Sequence, residues 1–169
     1  MYKIVCFIGH RKIVITFDLE KKLTEYIEYL IVNENVKVFL FGSRSEFDNL
    51  CYDIVSKLKE KYPYIKRIYF RSCYEKISDS YEKFLIEIYE GAIYLKECKG
   101  SGKSTYIKRN QTMIDNSDFC IFYYNQDYLP PKRKCRKKDL FDYQPKSGTA
   151  IAYKYAKQKK KTIKNFYSE

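Results

Sequence analysis

Residues 147–149, Ser-Gly-Thr, combine three properties that suit the binding of an anion. Ser147 can cap the start of a helix, and Gly148 lets another group approach the backbone closely. Thr149 adds a hydroxyl beside the first amides of the helix, which have no partner within it. Those amides and the positive end of the helix dipole form a site for a phosphate-sized group. An ordinary capped helix would contain the same residues, so both interpretations stay open from this motif alone.

A second group of polar residues follows the ends of predicted strands. The group comprises Gly9, His10, Arg11, Gly42, Ser43, Arg44 and Arg71. The carboxyl ends of parallel strands meet at one edge of a sheet, where ligands bind. With Arg109 near the start of a predicted helix, these arginines favour bidentate recognition of phosphate or carboxylate. Arginine is also common after strands in a basic protein, but the shared edge favours a ligand site.

Metal chemistry is not expected. His10 is the only histidine, and no cluster of Asp or Cys residues has the spacing of metal ligands. We therefore predict no metal, no cofactor and no catalytic residue, and we assign His10 a role in contacting or positioning a ligand.

The segment Gly100-Ser-Gly-Lys-Ser-Thr105 resembles part of a phosphate-binding P-loop. A P-loop also needs a glycine five residues before its Gly-Lys-Ser core, so that the loop can curl around the phosphate. Glu97 occupies that position and places a carboxylate where phosphate oxygens would lie. The sequence therefore disfavours a P-loop nucleotide hydrolase.

Strand and helix patterns alternate along the chain. Strands are predicted at residues 3–8, 36–41, 65–70, 119–124 and 162–166, and helices at residues 16–33, 45–60, 79–90, 104–116 and from 147 onwards. Residues 92–95 fit either a short strand or an extended connection. This alternation predicts one Rossmann-like α/β domain over residues 1–169, with a mainly parallel sheet and helices on both faces.

The composition favours anionic partners. The chain has 33 Lys and Arg residues against 21 Asp and Glu, a net charge of +12. Six cations lie between Lys132 and Lys138, within a polar connection at residues 125–146 that we expect to be functional and partly ordered. This basic loop could bind nucleic acid, although a solvated loop would have the same composition.

The expected compartment is the cytoplasm. The sequence has no signal peptide and no apolar run of membrane length, so we expect no membrane association. The six cysteines form no Cys-x-x-Cys pair, and Cys6 and Cys120 fall in predicted buried strands as small apolar residues. Self-association into a homo-oligomer is left open.

Several motifs, in their order along the chain, resemble the SLOG superfamily, which comprises the DprA and LOG group of Rossmann-like domains. The motifs are Gly9-His10-Arg11, Gly42 with Phe47-Asp48, Arg109-Asn110 with residues 113–115, Ser117-Asp118, and Ser147-Gly-Thr149. The resemblance is closest to the YpsA-like branch and spans nearly the whole chain. It implies binding of a nucleotide or nucleotide-derived ligand by Gly9, Arg11, Gly42, Ser43, Arg109, Asn110 and residues 147–149.

The sequence departs from the motif of the related LOG enzymes at one position, and this affects the expected activity. LOG enzymes, which cleave N-glycosidic bonds, carry Pro-Gly-Gly-x-Gly-Thr-x-x-Glu, and the glutamate position here is Ala152. Without a carboxylate there, glycosidic cleavage loses the group that stabilises an oxocarbenium ion. We therefore expect binding or sensing without cleavage. The alternatives are a nucleotide-processing hydrolase or transferase that uses Asp48 or Asp115, and a DNA- or RNA-binding module that uses the basic loop.

Overall fold

A computed structural model of the chain describes residues 1–72, 78–94, 103–132 and 144–167. Within these ranges, strands and helices alternate from one end to the other. The elements are β1 (Lys3–Gly9), α1 (Phe17–Asn33), β2 (Val36–Phe41), α2 (Glu46–Lys61), β3 (Lys66–Arg71), α3 (Asp79–Ile88), β4 (Gly91–Tyr94), α4 (Lys103–Asp115), β5 (Phe119–Tyr123), α5 (Gly148–Gln158) and β6 (Thr162–Asn165). The predicted elements are thus all present, with small differences at their ends.

The strands form one six-stranded sheet in the order β4-β3-β2-β1-β5-β6, and every neighbouring pair is parallel. This arrangement confirms the predicted Rossmann-like α/β class. The uncertain segment near residue 92 is a strand, because Gly91 pairs with Ile68 and begins β4. Strand order reverses between β1 and β5, so that the chain builds outward from β1 first in one direction and then in the other.

Successive side chains of each strand point to opposite faces, and this alternation divides the core in two. Helices α1, α2 and α3 pack on one face, against residues that include Phe7, Phe39, Phe41 and Tyr69. Helices α4 and α5 cover the opposite face, against a smaller cluster with Cys6, Ile8, Leu40, Phe70, Cys120 and Phe122. Cys6 and Cys120 are register partners in neighbouring strands, and both are buried as predicted.

Hydroxyl side chains start four of the helices. Thr16, Ser45, Ser78 and Ser147 each accept a hydrogen bond from a backbone amide in the first turn of the following helix. Because each helix follows a parallel strand, all of these N-termini lie at the carboxyl edge of the sheet. Among the described helices, none has both the length and the apolar composition needed to cross a bilayer.

Gly9, at the end of β1, supports the packing of α2 on the sheet. A β-carbon at this position would lie 2.4 Å from Cδ1 and 2.5 Å from Cβ of Phe47, a side chain that is fully buried. The absence of a side chain at Gly9 therefore allows the Phe47 ring to rest directly on the strand.

Gly9→Ala is expected to lower the free energy of unfolding by about 1–3 kcal/mol, because the added methyl group overpacks this contact. Gly148→Ala is the matched control, since no atom lies within 4 Å of a β-carbon there. Its stability should be unchanged or up to about 1 kcal/mol higher, because alanine restricts the unfolded chain. Urea denaturation measures both values. Equal stability of the two variants would show that Phe47 does not require glycine at position 9.

Candidate functional site

Buried polar residues concentrate at the carboxyl edge of the sheet. Of the nine buried polar or charged residues among those described, all but Ser117 follow a strand at this edge or lie in the first turns of the adjoining helices. They are His10, Ser45, Asp48, Ser72, Thr105, Arg109, Ser147 and Thr149. Such a concentration of polar groups in the interior is costly unless they are paired, so their contacts distinguish structural roles from ligand-binding roles.

The N-terminus of α5 has the geometry that the Ser-Gly-Thr motif predicts. The Ser147 hydroxyl accepts a hydrogen bond from the Ala150 amide at 2.9 Å. In the described part of the chain, the amides of Gly148 and Thr149 donate to no protein acceptor. Gly148 is exposed, with no heavy atom near its missing side chain. Two amides at the positive end of the helix therefore have no protein partner, and the Gly148 amide is at an exposed position where an external group can approach.

Lys103 brings a cation to the same place. It is the first residue of α4, and its ammonium group donates a hydrogen bond to the carbonyl oxygen of Lys146, directly before the Ser147 cap. The N-termini of α4 and α5 therefore lie side by side at the carboxyl edge.

Arg109 is buried, with 4% of its surface exposed. It donates a hydrogen bond to the carbonyl oxygen of Gly42, and its Nε and Nη2 atoms donate to the Asn110 side-chain oxygen at 3.2 and 3.0 Å. Gly42 is enclosed by this side chain, since a β-carbon there would lie 2.9 Å from the sulfur of Met113 and 3.0 Å from Cδ of Arg109. These contacts give Arg109 and Gly42 a structural role, in which α4 is attached to the end of β2.

Among the described residues, Asp48 is the other charged residue buried at this edge. One of its carboxylate oxygens accepts the Arg44 amide at 3.2 Å, whereas the second, Oδ1, has no hydrogen-bond partner among the described residues. Burial raises the pKa of Asp48 from its ordinary 3.8 to about 6, and the backbone amides of residues 42–44 and the charge of Arg109 limit the increase. Unpaired buried polar atoms are uncommon, and the hydroxyl of Ser72, after β3, is a second one here.

The loop between β2 and α2 is held by its own side chains. The Ser43 hydroxyl donates to the Ser45 hydroxyl at 2.9 Å, and Ser45 caps α2. Arg44 has a φ of 52°, in the left-handed region that non-glycine residues rarely adopt. Its guanidinium donates to the Tyr81 hydroxyl and lies 4.8 Å from the centre of that ring. Arg44 is therefore paired with α3 and is not directed freely toward a ligand.

His10 bridges the point where the strand order reverses. The Asn125 amide, beyond the end of β5, donates to Nε2 of His10 at 2.9 Å, and the Tyr128 ring lies 4.5 Å away between centroids. Burial lowers the pKa of His10, so the neutral imidazole is favoured. In parallel α/β proteins the crevice at this point commonly receives the ligand. Here the hydrogen bond to Asn125 and the contact with Tyr128 hold the loop after β5 against His10.

The remaining predicted arginines differ in their surroundings. Arg11 is exposed, and its guanidinium has no partner in the described part of the chain, although its carbonyl oxygen accepts the Glu46 amide at 2.9 Å. Arg71 forms an ion pair with Glu82 of α3 at 3.1 Å. Of these two, Arg11 is the one whose charge is open to an external anion.

The carboxylates considered for catalysis lie in different environments. Asp115 is at the opposite end of α4, where both of its oxygens accept the Tyr155 hydroxyl at 2.9 Å. It therefore joins α4 to α5, away from the carboxyl edge. Ala152 is 2% exposed and belongs to the apolar cluster under α5, so a methyl group fills the position where LOG enzymes have glutamate.

A groove of about 540 Å³ lies between α1 and the end of β6, and the Thr16 cap at the carboxyl edge is among the residues that line it. Tyr26, Tyr29, Phe166 and Tyr167 line it together with charged residues, and none of the predicted site residues does so. The sequence pattern does not indicate this groove, because it depends on how far α1 lies from β6. The unpartnered amides at the start of α5, and not the size of this groove, are the stronger guide to function.

Two predicted features are only partly within the described residues. In the basic loop, Lys132 is described, and residues 133–138 lie outside the described ranges. The same holds for residues 100–102 of the segment that resembles a P-loop. The parts of the chain that the structure describes contain no group of three His, Cys, Asp or Glu residues that could hold a metal ion.

Asp48→Asn is expected to change how stability depends on pH. Since the folded-state pKa of Asp48 is about 6 and the unfolded value is near 3.8, the folded protein binds more protons between these values. Asp48 therefore lowers stability as the pH rises from about 4 to 6, by up to about 3 kcal/mol. The amide avoids this loss, so the stability of the variant relative to wild type should rise over the same interval. Denaturation at pH 4 and pH 7 measures it, and a constant difference would contradict an elevated pKa.

Comparison with known proteins agrees with the motif order. The family model described as YspA SLOG family, named YpsA, matches residues 9–166, which is nearly the whole chain. No curated protein matches the sequence. The match begins at Gly9 and includes the loop after β2, Arg109 and the start of α5. The six-stranded parallel sheet, the polar carboxyl edge and the extent of this match together show that the chain belongs to the YpsA family of SLOG domains.

Proposed function

We propose that this protein binds a nucleotide or nucleotide-derived ligand at the carboxyl edge of its sheet, with a phosphate group at the start of α5, and does not cleave it. The proposal rests mainly on the pair of unpartnered amides at Gly148 and Thr149. The space where a side chain of residue 148 would lie is also open. Membership of the YpsA SLOG family supports a nucleotide-related ligand.

The local charges favour a phosphate group at this position. The amides of Gly148 and Thr149 lie at the positive end of an 11-residue helix, and α5 has no acidic residue in its first turn. Lys103 adds a positive charge beside Lys146. A phosphate could accept hydrogen bonds from both amides, as anions do at other helix N-termini.

Binding without cleavage follows from the carboxylates near the proposed ligand. Helix α5 contains no Asp or Glu, and Ala152 is buried in an apolar cluster. The alternative is N-glycosidic cleavage by Asp48, whose pKa of about 6 would suit a general acid. However, Oδ1 of Asp48 is inaccessible and its other oxygen already accepts an amide, so direct attack on a sugar carbon requires this loop to open.

A panel of mononucleotides and dinucleotides, with the matching nucleosides as controls, tests both hypotheses, binding without cleavage and cleavage by Asp48. Mass spectrometry of the incubated mixtures reports bound ligand and any released base in one measurement. We expect binding of phosphorylated members, no binding of nucleosides and no released base. Release of base that disappears in Asp48→Asn would establish the alternative and contradict binding without cleavage.

Gly148→Asp is expected to lower the affinity for a phosphorylated ligand by at least about tenfold, or roughly 1.4 kcal/mol. The added carboxylate would stand in the approach to the amides and repel the phosphate. The melting temperature should remain within a few degrees, because an acidic residue suits a helix N-terminus and the position is open. Gly148→Ala, which adds volume without charge, is the control and should lose less affinity. Calorimetry with the tightest ligand of the panel measures these changes, and wild-type affinity in Gly148→Asp would exclude this phosphate site.

A further inference from the structure

The charge of the protein is divided unequally between the two halves of the fold. Residues 1–72 and 78–94, which include α1, α2 and α3, contain 14 Lys and Arg residues and 13 Asp and Glu residues. Residues 103–132 and 144–167, which include α4 and α5, contain 11 and 3. The net charges of these described segments are therefore +1 and +8. Because α4 and α5 lie together on one face of the sheet, most of the excess positive charge belongs to that face.

The lysines of the two halves also differ in their pairing. On the first face, ion pairs neutralise many cations, for example Lys57 with Glu20, Lys61 with Glu28 and Arg67 with Glu90. On α4 and α5, the ion pair found among the described residues joins Lys159 to Asp115 at 3.6 Å. Lys108, Lys154 and Lys157 are exposed and have no carboxylate partner in the described part of the chain. Unpaired cations on one face produce a positive electrostatic potential, which attracts an extended polyanion that can neutralise them.

We propose that the outward surface of α4 and α5 binds the phosphate backbone of nucleic acid. The surface comprises Lys108 on α4 and Lys154, Lys157, Lys159 and Lys160 at and after the middle of α5. An 11-residue helix is about 16 Å long, which spans several phosphates of one strand. This surface is distinct from the nucleotide site at the start of α5, and the inference does not depend on that site.

An anionic membrane is the competing partner for a basic surface, and the side chains favour nucleic acid. Peripheral membrane helices insert large apolar residues beside their cations. On the described residues of α4 and α5, Tyr106 is the large apolar side chain that is exposed, at 45%. Other strongly exposed apolar residues lie outside these two helices, such as Val14 and Phe17 in and before α1 and Leu129 in the loop after β5. An exposed tyrosine on the same helix as Lys108 can stack on a base of a single strand.

Oligonucleotide binding tests the proposal. Fluorescence anisotropy with a labelled strand of about 20 nucleotides, and with the corresponding duplex, should show binding that weakens steeply between about 50 and 200 mM salt. About three phosphate contacts predict a slope of log K against log salt near −2 for the strand and near −3 for the duplex. Lys108→Glu/Lys154→Glu should reduce the affinity at least about tenfold and flatten this slope.

The matched control is Lys21→Glu/Lys57→Glu, which changes the net charge equally but lies on α1 and α2. At about 200 mM salt, long-range attraction by the net charge is largely screened. At that salt concentration, the affinity of this control variant for the oligonucleotide should stay within about twofold of wild type. Gly148→Asp should also retain oligonucleotide binding, which separates this surface from the nucleotide site. Circular dichroism and thermal melting verify that each variant is folded.

Three outcomes would overturn the proposal. One is an absence of oligonucleotide binding by the wild type at low salt. Another is an equal loss in both charge-reversed variants, which would assign binding to net charge and not to the α4 and α5 surface. The third is binding to phosphatidylserine vesicles without binding to oligonucleotides, which would identify a membrane as the partner.

Discussion

Arg109 projects from α4, on one face of the sheet, and donates a hydrogen bond to the Gly42 carbonyl at the end of β2, so that its charge is buried beside Asp48. A guanidinium placed in the interior needs acceptors for its donors, and the Gly42 carbonyl and the Asn110 side chain supply them. Gly42 has no side chain, and this allows the close approach. The loop after β2, the start of α2 and the position of α4 are all coupled to this one arrangement.

The same constraint explains how roles are divided along the carboxyl edge. Apart from the exposed Arg11, the predicted site residues near β1 and β2 are engaged within the protein: Phe47 rests on Gly9, His10 binds the loop after β5, and Arg44 packs on Tyr81. The start of α5 differs, because its first amides and Gly148 have no protein partner in the described residues. A ligand at this edge would therefore meet a fixed polar wall on the β2 side and open backbone donors on the α5 side.

Charge is distributed by face as well as by edge. Ion pairs balance the lysines of α1 and α2, whereas those of α4 and α5 remain largely unpaired among the described residues. Pairing on the first face limits self-repulsion around the larger apolar cluster, which contains most of the buried aromatic residues. Helices α4 and α5, which cover the smaller apolar cluster, carry the excess positive charge on their outer surface, where solvent and anions screen it.

The order of strands and helices could be read from the sequence, because buried parallel strands are short apolar runs and each amphipathic helix begins with a capping residue such as Thr16, Ser45 or Ser147. The motif order also indicated the YpsA family, to which the chain belongs. Which polar residues remain available could not be read in this way. Arg11 and Arg109 look alike in sequence, yet one is exposed and the other is buried against Gly42.

The ends of β4 and the roles of the individual glycines could not be predicted from the sequence either. Residues 92–95 have no strong pattern of their own, and pairing with β3 makes Gly91 the first residue of a strand. Gly9, Gly42 and Gly148 were predicted to share a ligand site, whereas packing encloses the first two and leaves the third open. The elements, their parallel arrangement and the family could be predicted from the chain, because these depend on local patterns. Which charges and amides are satisfied within the protein follows from the folded structure alone, because it depends on contacts between residues far apart in the chain.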